Sequence, residues 1–434
     1  MNHITHVYRL LSTGLFFLSL PPIGMAAALS TRHRSSLTQR MGRYPRRFGR
    51  RKGASPRVWM HAASVGEVRV AFPVAAALRR HLPSLDLVIS TTSHHGQRLA
   101  RQRFAAEALC VIAPVDAVVA VGAALDRLRP DVMIWLETEI WPNWIIEAHR
   151  RGIPSAMVNG RISVRSVQRY RRIRPLMAEA LKRMDALSMI HTADARRVLQ
   201  MGARPERVTV NGNAKGDLLR RPSREEARKR SALERLYRTS GDGPVLVAGS
   251  TRSGEEAVVY EAFHRIRRAF PDALLIVAPR HIRRARQVAQ LAVDAGLTCQ
   301  FRTAIDADAW PRTAAVVVLD TIGELFDAYG IATVAFCGGS LVEKGGQNLL
   351  EAASWAKPVL YGPSTEDFQE ARERLEAVGG GYRVDSSRTL AERFIALASD
   401  PSALARIGGN ARKAVVESRG AAERHAAVIR SLLR

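Results

Sequence analysis

Acidic residues, cysteines and long apolar runs are scarce in this chain of 434 residues, and each scarcity excludes something. The three cysteines, Cys110, Cys299 and Cys337, lie far apart, which leaves no disulfide framework and no zinc spacing. They read as packing thiols in a reducing compartment. No Asp-x-Asp pair and no clustered His/Asp set suggests metal ligation, so no metal is expected. His94 and His95 are adjacent, and adjacent histidines usually point apart. Aromatics make up 6% of the chain and do not interleave with the basic runs. With no zinc-finger or RNA-binding signature either, nucleic acid is not an expected partner.

What is abundant is positive charge. Lys and Arg number 66 against 40 Asp and Glu, a formal net charge of +26. A field of that strength favours polyanions, among them anionic lipid headgroups and phosphorylated substrates. The one long uncharged stretch runs from Leu10 to Thr31, interrupted by Pro21-Pro22. About twenty apolar residues can span a bilayer. From Arg32 to Lys52 follow nine basic residues and no acidic one, which holds that flank in the cytoplasm and suits anionic lipids. Residues 1–31 are therefore expected to form an N-terminal membrane anchor, and 32–56 a basic juxtamembrane segment. A cleaved signal peptide and a disordered basic arm are the rival readings.

From Val58 onward, short apolar runs alternate with amphipathic stretches. Expected strands are 58–62, 87–91, 108–113, 132–136, 155–158, 186–190 and 208–210. After a polar, charged segment the pattern resumes at 245–248, 273–278, 314–319, 333–337, 358–361 and 382–385. Strands alternating with helices predict parallel sheets with both faces covered. The fold class is α/β, with an N-terminal domain at 57–219, a linker at 220–243 and a C-terminal domain at 244–434. In such sheets ligands bind at the carboxyl ends of the strands, where most of the motifs fall.

Glycine pairs Gly338-Gly339 and Gly345-Gly346 separate the expected strand 333–337 from a helical pattern at 348–355. Glycine permits close backbone approach and positive φ, and a helix start attracts anions. With Glu351 one turn in, this reads as a site for a nucleotide phosphate and its sugar. Asn348-x-x-Glu351 equally fits a capping box that needs no ligand. His61-Ala-Ala-Ser-Val-Gly-Glu67 ends the first strand, and Glu67 is a candidate general base. Ser64-x-x-Glu67 is also a capping box, as are Thr321-x-x-Glu324 and Ser253-x-x-Glu256. Glu137 and Glu139 follow another strand beside Trp141 and Trp144. Asn159 to Ser166 carries Arg161 and Arg165 and leads into Arg169, Arg171, Arg172 and Arg174, a patch suited to bidentate phosphate contacts or to a solvated face. Gly249 to Glu256, with Ser250, opens the second domain. In Pro279-Arg-His281, Arg280 is placed to neutralise a leaving phosphate without a metal.

Taken in order, His61–Glu67, Glu137–Asn143, Asn159–Ser166, Gly249–Glu256, Pro279–His281, Asp320–Leu325 and Phe336–Glu351 resemble the 3-deoxy-D-manno-octulosonic acid (Kdo) transferases of lipid A biosynthesis. The resemblance runs from about Arg9 to the C-terminus. It implies a GT-B glycosyltransferase, two Rossmann-like domains facing a cleft. It implies inverting transfer of Kdo from CMP-Kdo to the 6′-hydroxyl of a tetraacylated lipid A precursor at the cytoplasmic face of the bacterial inner membrane. Expected partners are thus CMP-Kdo, a phosphorylated lipid A precursor and anionic inner-membrane lipids, with no cofactor. Glu67 is implied as the base, and Ser64, Glu137, Glu139, Arg161 and Arg165 fall on the acceptor side. Ser250, Arg280, Gly339, Ser340, Asn348 and Glu351 fall on the donor side. The chain departs from the family pattern at Ile282 and Arg283, at Gln347 and Leu349, at Gly216 in Lys215-Gly-Asp217, and in a shortened Thr91–Gly96 loop. A transferase for another nucleotide sugar, or a silent nucleotide-binding homologue, are the alternative readings.

Overall fold

The computed structural model describes residues 3–28, 31–49, 55–104, 107–162, 167, 170, 173–218, 224–239, 243–306, 308–417 and 419–433. It divides into two compact units, Met1–Leu218 with Arg419–Arg434, and Leu219–Ser418.

The first unit holds β1 (Arg57–His61), β2 (Asp86–Thr91), β3 (Leu109–Ile112), β4 (Val132–Leu136), β5 (Ser155–Gly160), β6 (Ala186–Met189) and β7 (Val208–Val210). They form one parallel sheet in the order β3-β2-β1-β4-β5-β6-β7. Its helices are α1 (His3–Ala28), α2 (Thr31–Arg40), α3 (Val65–His81), α4 (His94–Phe104), α5 (Val118–Leu128), α6 (Pro142–Arg150), α7 (Arg174–Leu181) and α8 (Thr192–Gln200). Strands β1 and β4 are buried along their whole length; β4 is apolar throughout, and β1 is apolar from Val58 to Met60 between buried Arg57 and His61. Helix α3 covers one face with Val68, Ala71, Val74, Ala75 and Leu78, the spacing of a single apolar stripe.

The second unit repeats the plan. It holds β8 (Val245–Thr251), β9 (Leu274–Pro279), β10 (Cys299–Phe301), β11 (Val316–Val318), β12 (Val334–Cys337), β13 (Val359–Tyr361) and β14 (Gly381–Arg383), in the order β10-β11-β9-β8-β12-β13-β14. Its helices are α9 (Arg224–Leu236), α10 (Glu255–Ala269), α11 (Ala285–Asp294), α12 (Leu325–Ile331), α13 (Leu350–Ser354), α14 (Gln369–Ala377), α15 (Ser387–Ala398) and α16 (Pro401–Glu417). In each sheet the strand order reverses at the first strand, between β1 and β4 and between β8 and β12. Ligands of open α/β sheets bind at such switch points.

Three expectations about the ends and the joint are corrected. Among the described residues no helix is long and apolar enough to cross a membrane, so the anchor expected at 1–31 is not found. Helix α1 instead docks on the first unit through polar side chains. Arg9 Nη2 donates to Glu147 Oε1 at 2.6 Å, Tyr8 Oη to Asp116 Oδ2 at 2.7 Å, and Asn143 Nδ2 to Ser12 Oγ at 2.9 Å. Its apolar stripe, Ile4, Val7, Leu11, Leu15 and Leu18, faces away from the protein and is exposed. The basic segment is likewise tied down: Arg40 Nη2 donates to Thr92 O at 2.8 Å, and Tyr44 Oη to Ile112 O at 2.8 Å. Residues 220–243 are more than a linker, since Leu233, Leu236 and Tyr237 pack into the second core.

The last helix, α17 (Ala421–Ser431), belongs to the first unit rather than to a domain at 244–434. Asp217 caps it, accepting from Gly420 N at 2.7 Å and Ala422 N at 2.8 Å. Buried His425 accepts from Ser188 Oγ at 2.7 Å and donates to Gly212 O at 2.9 Å, a neutral ring whose burial brings its pKa down to about 4. Ala422, Ala426 and Ile429 complete the core beneath α3.

Candidate active site

The switch point of the first unit gathers carboxylates. Glu67 sits in the first turn of α3, where its Oε2 accepts the Ser64 N–H at 2.8 Å. The capping box is therefore real, and it does not exclude chemistry. Glu67 is only 7% exposed. Burial pushes its pKa up to about 7, with the charges of Glu139 and Glu137 adding to the rise and the Ser64 amide and Lys215 opposing it. A carboxylate poised near neutrality is suited to accept a proton in a reaction.

Glu137 and Glu139 come from the end of β4, the strand beside β1. Glu137 holds a left-handed backbone at φ 60°, a strained setting for a residue with a Cβ, and pairs with Lys215 Nζ at 2.6 Å. Asn159, also left-handed at φ 54°, accepts the Ala214 N–H through Oδ1 at 2.7 Å and so holds the Lys215 segment in reach. Glu139 Oε2 accepts from Trp141 Nε1 at 2.5 Å, and burial raises its pKa. His61 lies behind it, Nε2 3.9 Å from Glu139 Oε2, and burial takes its pKa down to about 3. The Trp144 ring packs on His61 with centroids 5.0 Å apart. Thr92 N and Ser93 N both donate to Ala63 O at 3.1 Å, so the short 91–96 loop rests directly on the Ser64 turn. Arg161 stands one strand further on, after β5, where its charge acts on Asp194. Arg165 lies outside the described residues, as do Ser166, Arg169, Arg171 and Arg172.

The switch point of the second unit gathers cations. Arg280 is exposed at the end of β9, its N–H bonded to Thr251 O at 3.0 Å. Arg252 Nη1 donates to His281 Nε2 at 3.0 Å. Desolvation and the charges of Arg252, Arg280, Arg283 and Arg284 hold His281 below the usual imidazole range. The departure at Arg283 thus adds to one cationic cluster. Ser250 adopts φ 58° where the β8–β9 register shifts. Gly338 passes so close that a Cβ there would lie 2.6 Å from Thr251 Cα, which requires glycine.

The glycine-rich loop itself differs from expectation. Helix α13 starts at Leu350 and spans five residues, not 348–355, because Asn348 Oδ1 already accepts the Leu350 N–H at 3.2 Å. Asn348 Nδ2 donates to Glu351 Oε1 at 3.1 Å, so these two expected ligand contacts bond each other. The amides of Gly339 and Ser340 donate to Glu255, at 2.6 and 2.9 Å. The Ser340 hydroxyl is buried and donates to Cys337 O. The sequence reading paired Ser253 with Glu256 and overlooked Glu255. Glu255 takes the Arg252 N–H at 2.8 Å, while Glu256 binds Arg284 through both oxygens at 2.8 and 3.1 Å. Consecutive acids at the buried start of a helix after a glycine loop were the available signal.

Comparison with known proteins identifies the family. Residues 35–218 match the family model described as 3-Deoxy-D-manno-octulosonic-acid transferase (kdotransferase). The 3-deoxy-D-manno-octulosonic acid transferase of Haemophilus influenzae is 30% identical over 424 residues, covering 96% of this chain and 97% of the relative. That of Bordetella pertussis is 33% identical over 369 residues, 82% and 84% of the two chains. Among solved structures, a glycosyltransferase from Rickettsia africae superposes with TM-score 0.64 at 12% identity over 88% of this chain and 99% of its own. A UDP-GlcNAc 2-epimerase from Neisseria meningitidis gives TM-score 0.58 at 15% identity, over 83% and 99%. The two parallel-sheet α/β units resemble the GT-B fold, and the curated relatives make the chain a glycosyltransferase. Within that class, the chain belongs to the 3-deoxy-D-manno-octulosonic acid transferase family.

Proposed function

We propose that this enzyme transfers Kdo from CMP-Kdo to the 6′-hydroxyl of a tetraacylated lipid A precursor, with inversion at the anomeric carbon. Membership of the family supports Kdo transfer, and the observation that carries the mechanism is Glu67, a buried carboxylate at the first unit's switch point with its pKa raised to about 7. The 6′-hydroxyl oxygen attacks the anomeric carbon from the face opposite CMP and forms the new C–O bond. Its proton passes to Glu67. The bond between the anomeric carbon and the phosphate oxygen breaks, and its electron pair leaves with CMP. The negative charge of the leaving phosphate falls to Arg280 and the guanidinium groups around it, which supports turnover without a divalent metal.

In this reading the acceptor is a lipid and the enzyme works at the cytoplasmic face of the bacterial inner membrane. The outward apolar stripe of α1 and the excess of Arg suit a chain that rests on an anionic leaflet rather than spans it. The test is a transfer assay with CMP-Kdo and tetraacylated precursor in the presence of EDTA, products read by mass. One or more Kdo increments are expected. A strict divalent-metal requirement overturns the leaving-group argument. No increment from folded, CMP-binding protein points to another sugar.

A further inference from the structure

Glu255 is fully buried and is the first residue of α10. Its Oε2 accepts from Arg252 N at 2.8 Å and Gly339 N at 2.6 Å, and its Oε1 from Ser340 N at 2.9 Å and Leu341 N at 2.8 Å. All four partners are N–H donors, a set that fits an ionised, acceptor-only carboxylate. Three of them are successive amides of one turn, the kind of concavity in which proteins bind anions. Gly339, at φ 68°, supplies the left-handed step of that turn. The turn is fixed from its other side as well, because Gly362 N donates to Ser340 Oγ at 2.8 Å. The next residue, Glu256, is also fully buried and grips Arg284. Two consecutive acids thus tie together the segments that leave β8, β9 and β12.

A capping role alone accounts for one of the four bonds, that from Arg252. The other three come from the loop that the family resemblance assigns to the donor. We propose that Glu255 is a positioning residue of the donor unit. Its carboxylate is the resident anion that shapes the β12 loop, so an incoming nucleotide phosphate is met by guanidinium side chains and not by the Gly339–Leu341 amides. The role rests on the donor reading given above.

The test uses the full chain and the variants Glu255→Ala, Glu255→Gln and Glu255→Asp. CMP binding is measured by calorimetry, and amide exchange is followed at residues 338–342. Glu255→Ala opens a nest of four donors of a size for a small carboxylate. CMP binding is expected to weaken by about tenfold or more, a loss of about 1.4 kcal/mol. Exchange at Gly339, Ser340 and Leu341 rises. Formate restores both, and neutral formamide restores neither. Glu255→Gln is near-isosteric but turns an NH2 against two N–H donors. It raises KM for CMP-Kdo more than it lowers kcat, and it serves should the alanine variant fail to fold. Glu255→Asp, which keeps the charge, recovers part of the binding. A folded Glu255→Ala that binds CMP like the parent overturns the proposal, as does exchange that formate leaves unprotected. A parent chain that binds no CMP sinks the donor reading instead, and the exchange and formate arm alone then decides whether Glu255 shapes the loop.

Discussion

In the proposed reaction Glu67 has two tasks, capping α3 and accepting a proton; both call for the ionised carboxylate, and its surroundings oppose that form. The capping bond from Ser64 N–H favours the charged form, while burial and the neighbouring Glu139 and Glu137 favour the neutral one. The second set prevails, since the pKa stands at about 7 against an ordinary 4.5. A base must be unprotonated, so the transfer rate is expected to climb with pH around a midpoint near 7. Glu67→Gln is expected to cut kcat by about 10²-fold or more while CMP binding persists. The same shift has a stability consequence of definite sign. The folded chain holds this proton more tightly than the unfolded chain, so stability falls as pH rises from about 4.5 to about 7 and stays lower above that. Glu67→Gln removes the penalty and keeps the capping acceptor. It is expected to be more stable than the parent at pH 8, by up to roughly 3 kcal/mol, and to match it near pH 4. Urea unfolding at the two pH values checks this; a gap that is equal at both, or larger in acid, contradicts it. The motif marked Glu67 in the sequence, but its spacing could not separate cap from base. That decision lies in burial and in charges delivered by β4, seventy residues further along the chain.

Among the elements, those that carry their own signal were legible and those defined by a partner were not. Parallel strands covered on both faces are unbroken apolar runs and stand out in the sequence within a few residues of their ends; the exposed edge strand β7 stands out through its two valines alone. Strand β10 is a half-buried edge strand of three residues and writes no such run. Helix α17 is amphipathic, but its pattern does not say which core receives it; Asp217, His425 and the underside of α3 do. Helix α1 misled because its apolar stripe is long, while the residues that dock it, Tyr8, Arg9 and Ser12, are few and scattered. The Arg9–Glu147 pair is the strongest of these ties, with side chains 10% and 6% exposed. Burial presses Glu147 toward its neutral form, and the bonds from Arg9 and Arg151 win, leaving its pKa below the usual range. Removing one member of a buried pair costs about 3–5 kcal/mol when the other is left alone; Glu147 keeps Arg151, so the cost here falls below that range. Arg9→Ala is therefore expected to raise amide exchange along α1 and to lower the stability of the first unit. An unchanged exchange pattern would show that the other α1 contacts suffice.

At the scale of the whole molecule, charge and apolar surface have to be weighed against each other as sources of the proposed membrane affinity. The net charge of +26 draws the chain toward any polyanion, and that attraction is screened by salt. Leu10, Leu11, Leu15 and Leu18 are 74%, 67%, 70% and 77% exposed and add a contribution that salt does not screen. A helix that keeps its polar residues for the protein and turns its leucines outward has the opposite orientation to an ordinary surface helix, and the proposed function sets those leucines against a lipid leaflet. Burying one leucine is worth about 1.5–3 kcal/mol when complete, so even partial insertion of four outweighs several screened charge contacts. Binding to vesicles rich in anionic lipid is expected to fall only partly as salt is raised. Replacing the four leucines by serine is expected to leave a residual binding that salt abolishes, with folding intact because these side chains touch solvent. Uncharged vesicles separate the two terms directly: the parent chain should retain measurable binding to them, and the serine variant should have none. If high salt alone releases the parent completely, charge holds the chain at the membrane and the leucine stripe needs a different partner.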